Sequence, residues 1–143
     1  MTMSYFIDKI ETSDNCVASL TWNSNRTWSI SKYKDDDYNI MRDVVTIRPE
    51  DFESMLKCKD VEFNAGMFGW PTIIKSSMVD GLLKLEEYTD MFGRGMVLGG
   101  HFEISVEDFT KLKEIAEKDR QTKPVHYCDF RKGEIVLDKE SFA

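Results

Sequence analysis

Cysteine, proline and histidine are scarce in this sequence. The three cysteines, Cys16, Cys58 and Cys128, are odd in number and far apart, so they do not resemble the disulfide framework of a small secreted domain. No apolar run is long enough to cross a bilayer, and the first residues lack the basic start and apolar core of a secretory signal. These absences predict a cytoplasmic protein with no membrane partner.

Blocks of like charge are also scarce, although the net charge is −7. Acidic residues are interleaved with lysine and arginine everywhere except at Asp35–Asp37, so the chain does not resemble a DNA mimic. The sequence also lacks a stripe of basic residues interleaved with aromatic ones, which is the pattern that would follow a phosphate backbone. We expect Asp35–Asp37 to form a solvated loop, because no further ligands follow at the spacing of a calcium loop. The charge pattern argues against nucleic acid as a partner.

Apolar and aromatic residues, by contrast, are plentiful. A hydrophobic fraction of 41% with 12% aromatic residues indicates an ordered globular protein rather than a disordered one. The length suits one domain with a core of its own, and no linker or low-complexity segment divides the chain. We therefore predict a single α+β domain that spans residues 1–143.

The N-terminal part predicts a three-stranded antiparallel meander, with strands at Tyr5–Glu11, Cys16–Trp22 and Thr27–Lys34. Placing Trp22 opposite Trp28 collects the apolar residues of the second and third strands on one face. A tryptophan pair at a hairpin tip can be an exposed binding platform, but it more often seals the end of a sheet. We favour the sealing role.

Two stretches predict a strand that runs into a helix. In His101–Arg120 the apolar period changes from two to helical spacing at Ser105, which forms a capping-box pattern with Asp108. Val44–Lys57 repeats the motif Ile-x-x-Glu-Asp-Phe, with Pro49 at the first helical position. The two Glu-Asp-Phe elements could be acidic binding loops. We interpret them as helix starts, and their similarity as a hint of pseudosymmetry.

The remaining elements complete an α+β fold. Ser77–Phe92 predicts a third helix, with Met78, Leu82, Leu85 and Thr89 on one face and Gly93 as its C-terminal cap. Short strands are predicted at Val61–Phe63 and Thr72–Lys75, and a hairpin from Val125–Phe130 to Glu134–Leu137. The prediction is a mostly antiparallel sheet with two to three helices packed on one face.

Two glycine-containing loops are candidate binding sites. Asn64–Pro71 carries Met67, Phe68 and Trp70, which could contact a partner protein or pack on the core. Gly93–His101 could hold a ligand through Arg94, Gly95, Gly99 and His101, with Arg94 contacting an anion. That loop lacks both phosphate-binding motifs, however, and it precedes a strand rather than opening a helix.

Evidence for catalysis is weak. His126 and Cys128 share a face of a predicted strand and could bind zinc with His101 or Cys58, or form a thiol–imidazole pair. Two such residues at this spacing are common by chance. Because no G-x-S-x-G or H-E-x-x-H motif is present, we expect no catalytic residues, metal or cofactor.

The functional prediction is a non-enzymatic protein that binds another protein, through contact with a basic surface. An inhibitor or immunity-type partner of a basic enzyme fits this description, and the general character is that of a bacterial or phage accessory protein. The alternative is a protein that binds or sequesters a small molecule or nucleotide with the Gly93–His101 loop. A homodimer is compatible with either.

Overall fold

The computed structural model describes residues 4–34, 44–65, 69–122, 125–129 and 134–138, and these form two four-stranded antiparallel sheets, two helices and a hairpin. The first sheet contains, in order, β1 (Ser4–Glu11), β2 (Val17–Asn23), β3 (Trp28–Tyr33) and β4 (Val44–Ile47), and α1 (Asp51–Leu56) follows it. The second contains β5 (Val61–Ala65), β6 (Trp70–Val79), β7 (Leu82–Thr89) and β8 (Val97–Ile104), and α2 (Val106–Thr122) follows it. The hairpin pairs β9 (Val125–Asp129) with β10 (Glu134–Asp138).

The element order therefore repeats: four consecutive antiparallel strands and then a helix, twice. The shared Ile-x-x-Glu-Asp-Phe motif lies at the same junction in each half, where β4 leads into α1 and β8 into α2. α1 begins at Asp51, so Pro49 lies in the turn before the helix rather than at its first position. α2 continues to Thr122, beyond its predicted end.

The predicted meander is confirmed, and β4 extends it to four strands. Trp22 lies opposite Trp28, Leu20 opposite Ile30 and Ala18 opposite Lys32, which is the predicted register. The two indole rings are 4.7 Å apart, and the residues are 1% and 0% exposed. The tryptophan pair is thus part of the core and not an exposed platform.

The predicted helix at Ser77–Phe92 is wrong, because this segment forms the hairpin of β6 and β7. Val79 pairs with Leu82 across the two-residue turn Asp80–Gly81, and both turn residues have positive φ, 51° and 80°. Asp-Gly is a preferred sequence for a type I′ turn, which suits the twist of a two-residue hairpin. Gly93 consequently caps no helix and lies in the β7–β8 turn.

Both helices and both sheets contribute to one hydrophobic core. The rings of Phe52 in α1 and Phe109 in α2 lie 5.4 Å apart, so the two shared motifs meet in its interior. The buried members are Ala18, Leu20, Trp22, Trp28, Ile30, Val45, Ile47, Phe52, Met55, Ile74, Leu83, Leu85, Phe102, Ile104, Phe109, Leu112 and Ala116.

The last strands of the two sheets approach each other at a bulge in β8. Glu86 pairs with His101 and Tyr88 with Leu98, so two residues of β8, Gly99 and Gly100, lie opposite Glu87 alone. A Cβ atom on Gly100 would lie 2.6 Å from the carbonyl carbon of Val44 in β4. Only a residue without a side chain allows the two backbones to come this close.

The aspartates of the two shared motifs, Asp51 and Asp108, are buried at the helix starts, whereas Glu50 and Glu107 are exposed. Asp51 accepts hydrogen bonds from the backbone N–H and the guanidinium of Arg48. The Asp108 backbone N–H donates to Ser105 Oγ at 3.0 Å, which confirms Ser105 as the helix cap. The Asp108 carboxylate accepts from the N–H and Oγ of Ser13, at 2.9 and 3.2 Å. These contacts oppose the alternative that the motifs are acidic binding loops.

Asp108 joins the β1–β2 turn to the start of α2 through its hydrogen bonds from Ser13. Because Asp108→Ala removes these bonds to a charged group, we expect it to lower the free energy of unfolding at pH 7 by about 2 kcal/mol. Burial by itself raises the pKa of Asp108, but hydrogen bonds from Ser13 and Ser105 and the charge of Lys111 outweigh burial and lower it. A lowered pKa in the folded state means that this stabilisation is present above the unfolded pKa and is lost as the pH falls through the folded value.

Urea titrations of both proteins between neutral and acidic pH test this prediction. The stability difference between them should shrink below the ordinary aspartate pKa of 3.8. Glu107→Ala is the matched control, since Glu107 is an exposed acid in the same helical turn and should change stability by less than about 0.5 kcal/mol. Equal effects of the two substitutions would contradict the role assigned to Asp108.

Candidate functional site

A cleft of about 490 Å³ opens where the two sheets meet. The β2–β3 hairpin and β4 form one wall, and β6, β7, β8 and the start of the β7–β8 turn form the other. The lining residues are Asn23, Asn25, Thr27, Ser29, Thr46, Trp70, Thr72, Glu87, Thr89, Met91, Val97, Leu98 and Gly99.

One wall of the cleft carries a connected set of neutral polar groups. The side-chain amide of Asn23 donates to Thr27 Oγ1 at 3.1 Å and to Ser29 Oγ at 2.9 Å. The Thr27 hydroxyl donates in turn to Asn25 Oδ1 at 2.6 Å. Because these bonds hold the side chains in fixed positions, the wall is organised by contacts within the chain itself.

Among the described residues that line the cleft, Glu87 is the one that is ionisable. Its Oε1 accepts a hydrogen bond of 3.0 Å from the backbone N–H of Thr46, so it satisfies a donor of β4 across the junction of the sheets. Burial raises the pKa of Glu87, and hydrogen bonds from Thr46 offset part of that rise. The β8 bulge places Gly99 and Gly100 opposite Glu87, where no Cβ atom covers the carboxylate.

The mouth of the cleft is apolar and exposed. We call the group Trp70, Met91, Phe92, Met96, Val97 and Leu98 the apolar rim. Phe92 is 79% exposed, Val97 63%, Met91 44%, Leu98 43% and Met96 41%. The rings of Trp70 and Phe92 are 5.5 Å apart, so the start of β6 and the β7–β8 turn belong to one surface.

Phe92 also has an unfavourable backbone conformation, with φ at 67°. A bulky residue in this left-handed region costs about 1 kcal/mol or more, and such strain is concentrated at functional positions. Among the described non-glycine residues with positive φ, Phe92 is the one that is aromatic. Burial of the side chain offsets little of this cost, because Phe92 is largely exposed.

The structure brings together parts of the two loops that the sequence marked as candidates. Trp70 lies in the apolar rim, whereas Met67 and Phe68 lie outside the described residues. Gly99 lines the cleft from within β8. Arg94 and Gly95 lie in the β7–β8 turn, where the N–H of Gly95 donates to Asp90 Oδ1 at 3.0 Å.

Arg94 and His101 do not line the cleft. His101 lies within β8, exposed and opposite Glu86, because the strand begins at Val97 and is longer than predicted. Among the described residues that line the cleft, the charge offered to a ligand is the carboxylate of Glu87 rather than a guanidinium. The anion contact expected of Arg94 stays a prediction for the β7–β8 turn itself.

The side chains of the main candidates for metal binding and catalysis lie outside the described residues. His126 and Cys128 lie on β9, opposite Leu137 and Ile135, and their side chains are outside the described part of the structure. Asp35–Asp37 also lies outside it. Within the described residues, no three histidine, cysteine or acidic side chains are grouped so that they could hold a metal ion.

Glu87 and most of the rim were missed from the sequence. The helix predicted at Ser77–Phe92 did not include Glu87 on its apolar face, whereas in β7 Glu87 follows Leu83 and Leu85 at a spacing of two and shares their face of the strand. The Asp80–Gly81 pair was the signal that could have revealed the hairpin.

The chain matches no protein-family model, and no curated protein shows significant sequence similarity to it. Among the described residues, neither helix has the length and apolar character needed to cross a membrane.

Proposed function

We propose that this is a non-enzymatic binding protein that acts by contact with another protein, and that the apolar rim is its contact surface. The observation that supports the proposal is the exposure of Phe92, Val97 and their neighbours around one cleft. Clustered exposed apolar side chains, with aromatic residues among them, are typical of protein interaction sites.

The strain at Phe92 supports the same conclusion. An exposed phenylalanine at positive φ gains little from burial, and glycine would occupy the position at lower cost. Its ring instead extends the surface that begins at Trp70. A contact with another molecule would bury both rings and supply the free energy that folding does not provide.

The acidic character of the chain favours a partner with a basic surface. A net charge of −7 accelerates the encounter with a positively charged protein and makes the association rate fall with salt. An inhibitor or immunity-type protein of the bacterial or phage accessory class, acting in the cytoplasm on a basic enzyme, fits both features.

The paired substitution Phe92→Ser with Val97→Ser tests the proposal. We expect it to weaken binding by about 100-fold or more, because two apolar contacts at the centre of an interface are lost. The wild-type chain used as bait in a lysate of its own host identifies the partner. Calorimetry with the purified partner then measures both affinities, and circular dichroism compares the melting temperatures.

Met78→Ser is the matched control, because Met78 is 49% exposed but lies near the Asp80–Gly81 turn, at the other end of the hairpin. It should leave the affinity unchanged. Unaltered affinity of the rim variant, at an unaltered melting temperature, would rule out the rim as the contact surface.

A small-molecule binder is the second candidate, favoured by the volume of the cleft and its ordered polar wall. Volumes of several hundred Å³ are usual for such sites. The Glu87 carboxylate disfavours a nucleotide phosphate and favours a neutral or positively charged ligand. Native mass spectrometry of protein purified from its own host would reveal a retained ligand, and a bare protein mass would count against this candidate.

A further inference from the structure

We propose that the cleft accepts a basic side chain of the partner protein, an arginine or lysine whose cationic end pairs with Glu87 while the neighbouring apolar residues of the partner lie on the apolar rim. This inference rests on the proposed function and specifies the chemistry of the partner segment.

The position of the Glu87 carboxylate is the first argument. Thr46 holds its Oε1 through a backbone hydrogen bond, which leaves acceptor capacity on the carboxylate. Its Oε2 lies 3.8 Å from the place where a Cβ atom of Gly99 would stand, on a stretch of β8 that also lines the cleft. Because Gly99 has no side chain, no Cβ atom lies against this oxygen from the β8 side.

Charge complementarity is the second argument. The other described residues that line the cleft are neutral, and within the same part of the chain Glu87 takes part in none of the ion pairs. A half-buried carboxylate without a cation is poorly stabilised, and burial raises its pKa. A guanidinium or ammonium group entering the cleft would provide the missing charge, whereas an anion would be repelled.

The surroundings of the cleft are the third argument, and they favour a side chain of a protein over a free amine. Trp70, Met91 and Leu98 form an apolar mouth through which the methylene stem of lysine or arginine can pass. The rim continues outward to Phe92, beyond the lining of the cleft. A ligand that fills only the cleft would leave that outer surface exposed.

The tripeptide acetyl-Leu-Arg-Leu-amide is the first probe, and its citrulline analogue has the same shape without the charge. In nitrogen–proton correlation spectra we expect the arginine peptide to shift the amide signals of Thr46 and Gly99 and the indole signal of Trp70. The citrulline peptide should bind about tenfold more weakly or worse.

Glu87→Gln removes the charge but keeps an oxygen that can accept from Thr46, so the folded structure should be retained. We expect the variant to bind the two peptides equally. Thr89→Lys is a second variant, because Thr89 lies two residues along β7 and also lines the cleft. The ammonium group of the new lysine should form an ion pair with the Glu87 carboxylate inside the cleft and abolish the preference for arginine.

Four results would overturn this inference. The first is an absence of shifts from either peptide, and the second is equal binding of the two peptides by the wild-type protein. The others are an unchanged arginine preference in Glu87→Gln and binding of free ethylguanidine as tightly as the arginine peptide. In each case the rim variant still tests the proposed function separately, because it replaces no residue that contacts the carboxylate.

Discussion

Gly100→Ala is expected to lower the free energy of unfolding by about 3 kcal/mol, because the new methyl group would overlap the backbone of Val44. The Cβ atom would lie 2.6 Å from the carbonyl carbon and 2.7 Å from the nitrogen of that residue. Backbone atoms cannot move aside as the end of a long side chain can. The substitution must therefore separate β4 from β8, or bend one of them.

Gly99→Ala provides a control within the same bulge. Its added Cβ atom would lie 3.6 Å from the Glu87 carbonyl oxygen, which is an ordinary contact distance. We expect a change in stability of less than about 1 kcal/mol, with the small gain from a stiffer unfolded chain opposing any local adjustment. Urea denaturation followed by tryptophan fluorescence measures both variants. Similar losses for the two glycines would show that β4 and β8 are not in close backbone contact.

Phe109→Ala should lower the free energy of unfolding by about 4 kcal/mol, since it removes a fully buried ring from a core shared by both halves of the chain. Its ring lies against Phe52, the residue at the same place in the other shared motif. Phe52→Ala should have a similar effect. A double-mutant cycle should give a coupling energy of about 1 kcal/mol for the ring contact.

Phe92→Ala is the control for this pair, because it is the same substitution at a residue that is 79% exposed. It should change the free energy of unfolding by less than about 0.5 kcal/mol. If Phe92→Ala were as destabilising as Phe109→Ala, Phe92 would belong to the core, and the apolar rim would lose its most exposed member. Chemical denaturation of the wild-type protein and of the Phe109→Ala, Phe52→Ala and Phe92→Ala variants decides between these results.

The prediction for Gly100 bears on the candidate site as well as on the fold. Gly100 lets β8 approach β4, and that approach brings Glu87 within hydrogen-bonding distance of Thr46. Moving the strands apart would therefore displace the carboxylate from the cleft. A Gly100 variant that still folds should lose the arginine preference expected of the wild-type protein.

Local patterns in the sequence predicted much of the fold. The register of the meander followed from placing Trp22 opposite Trp28, and α2 from the change of period at Ser105. These predictions succeeded because each depends on residues close in sequence. The helix predicted at Ser77–Phe92 failed because its apolar spacing fits both periods, and the Asp80–Gly81 turn decides between them.

The strands of the N-terminal meander, the two helix starts and the apolar residues of the loops could be read from the sequence, because side-chain period and capping act over a few residues. The shared surface of Trp70 and Phe92, and the contact of Glu87 with Thr46 across 41 residues, emerged only in the folded chain. Those contacts depend on how two sheets pack at Gly100, and packing between distant segments leaves no periodic signal in the chain.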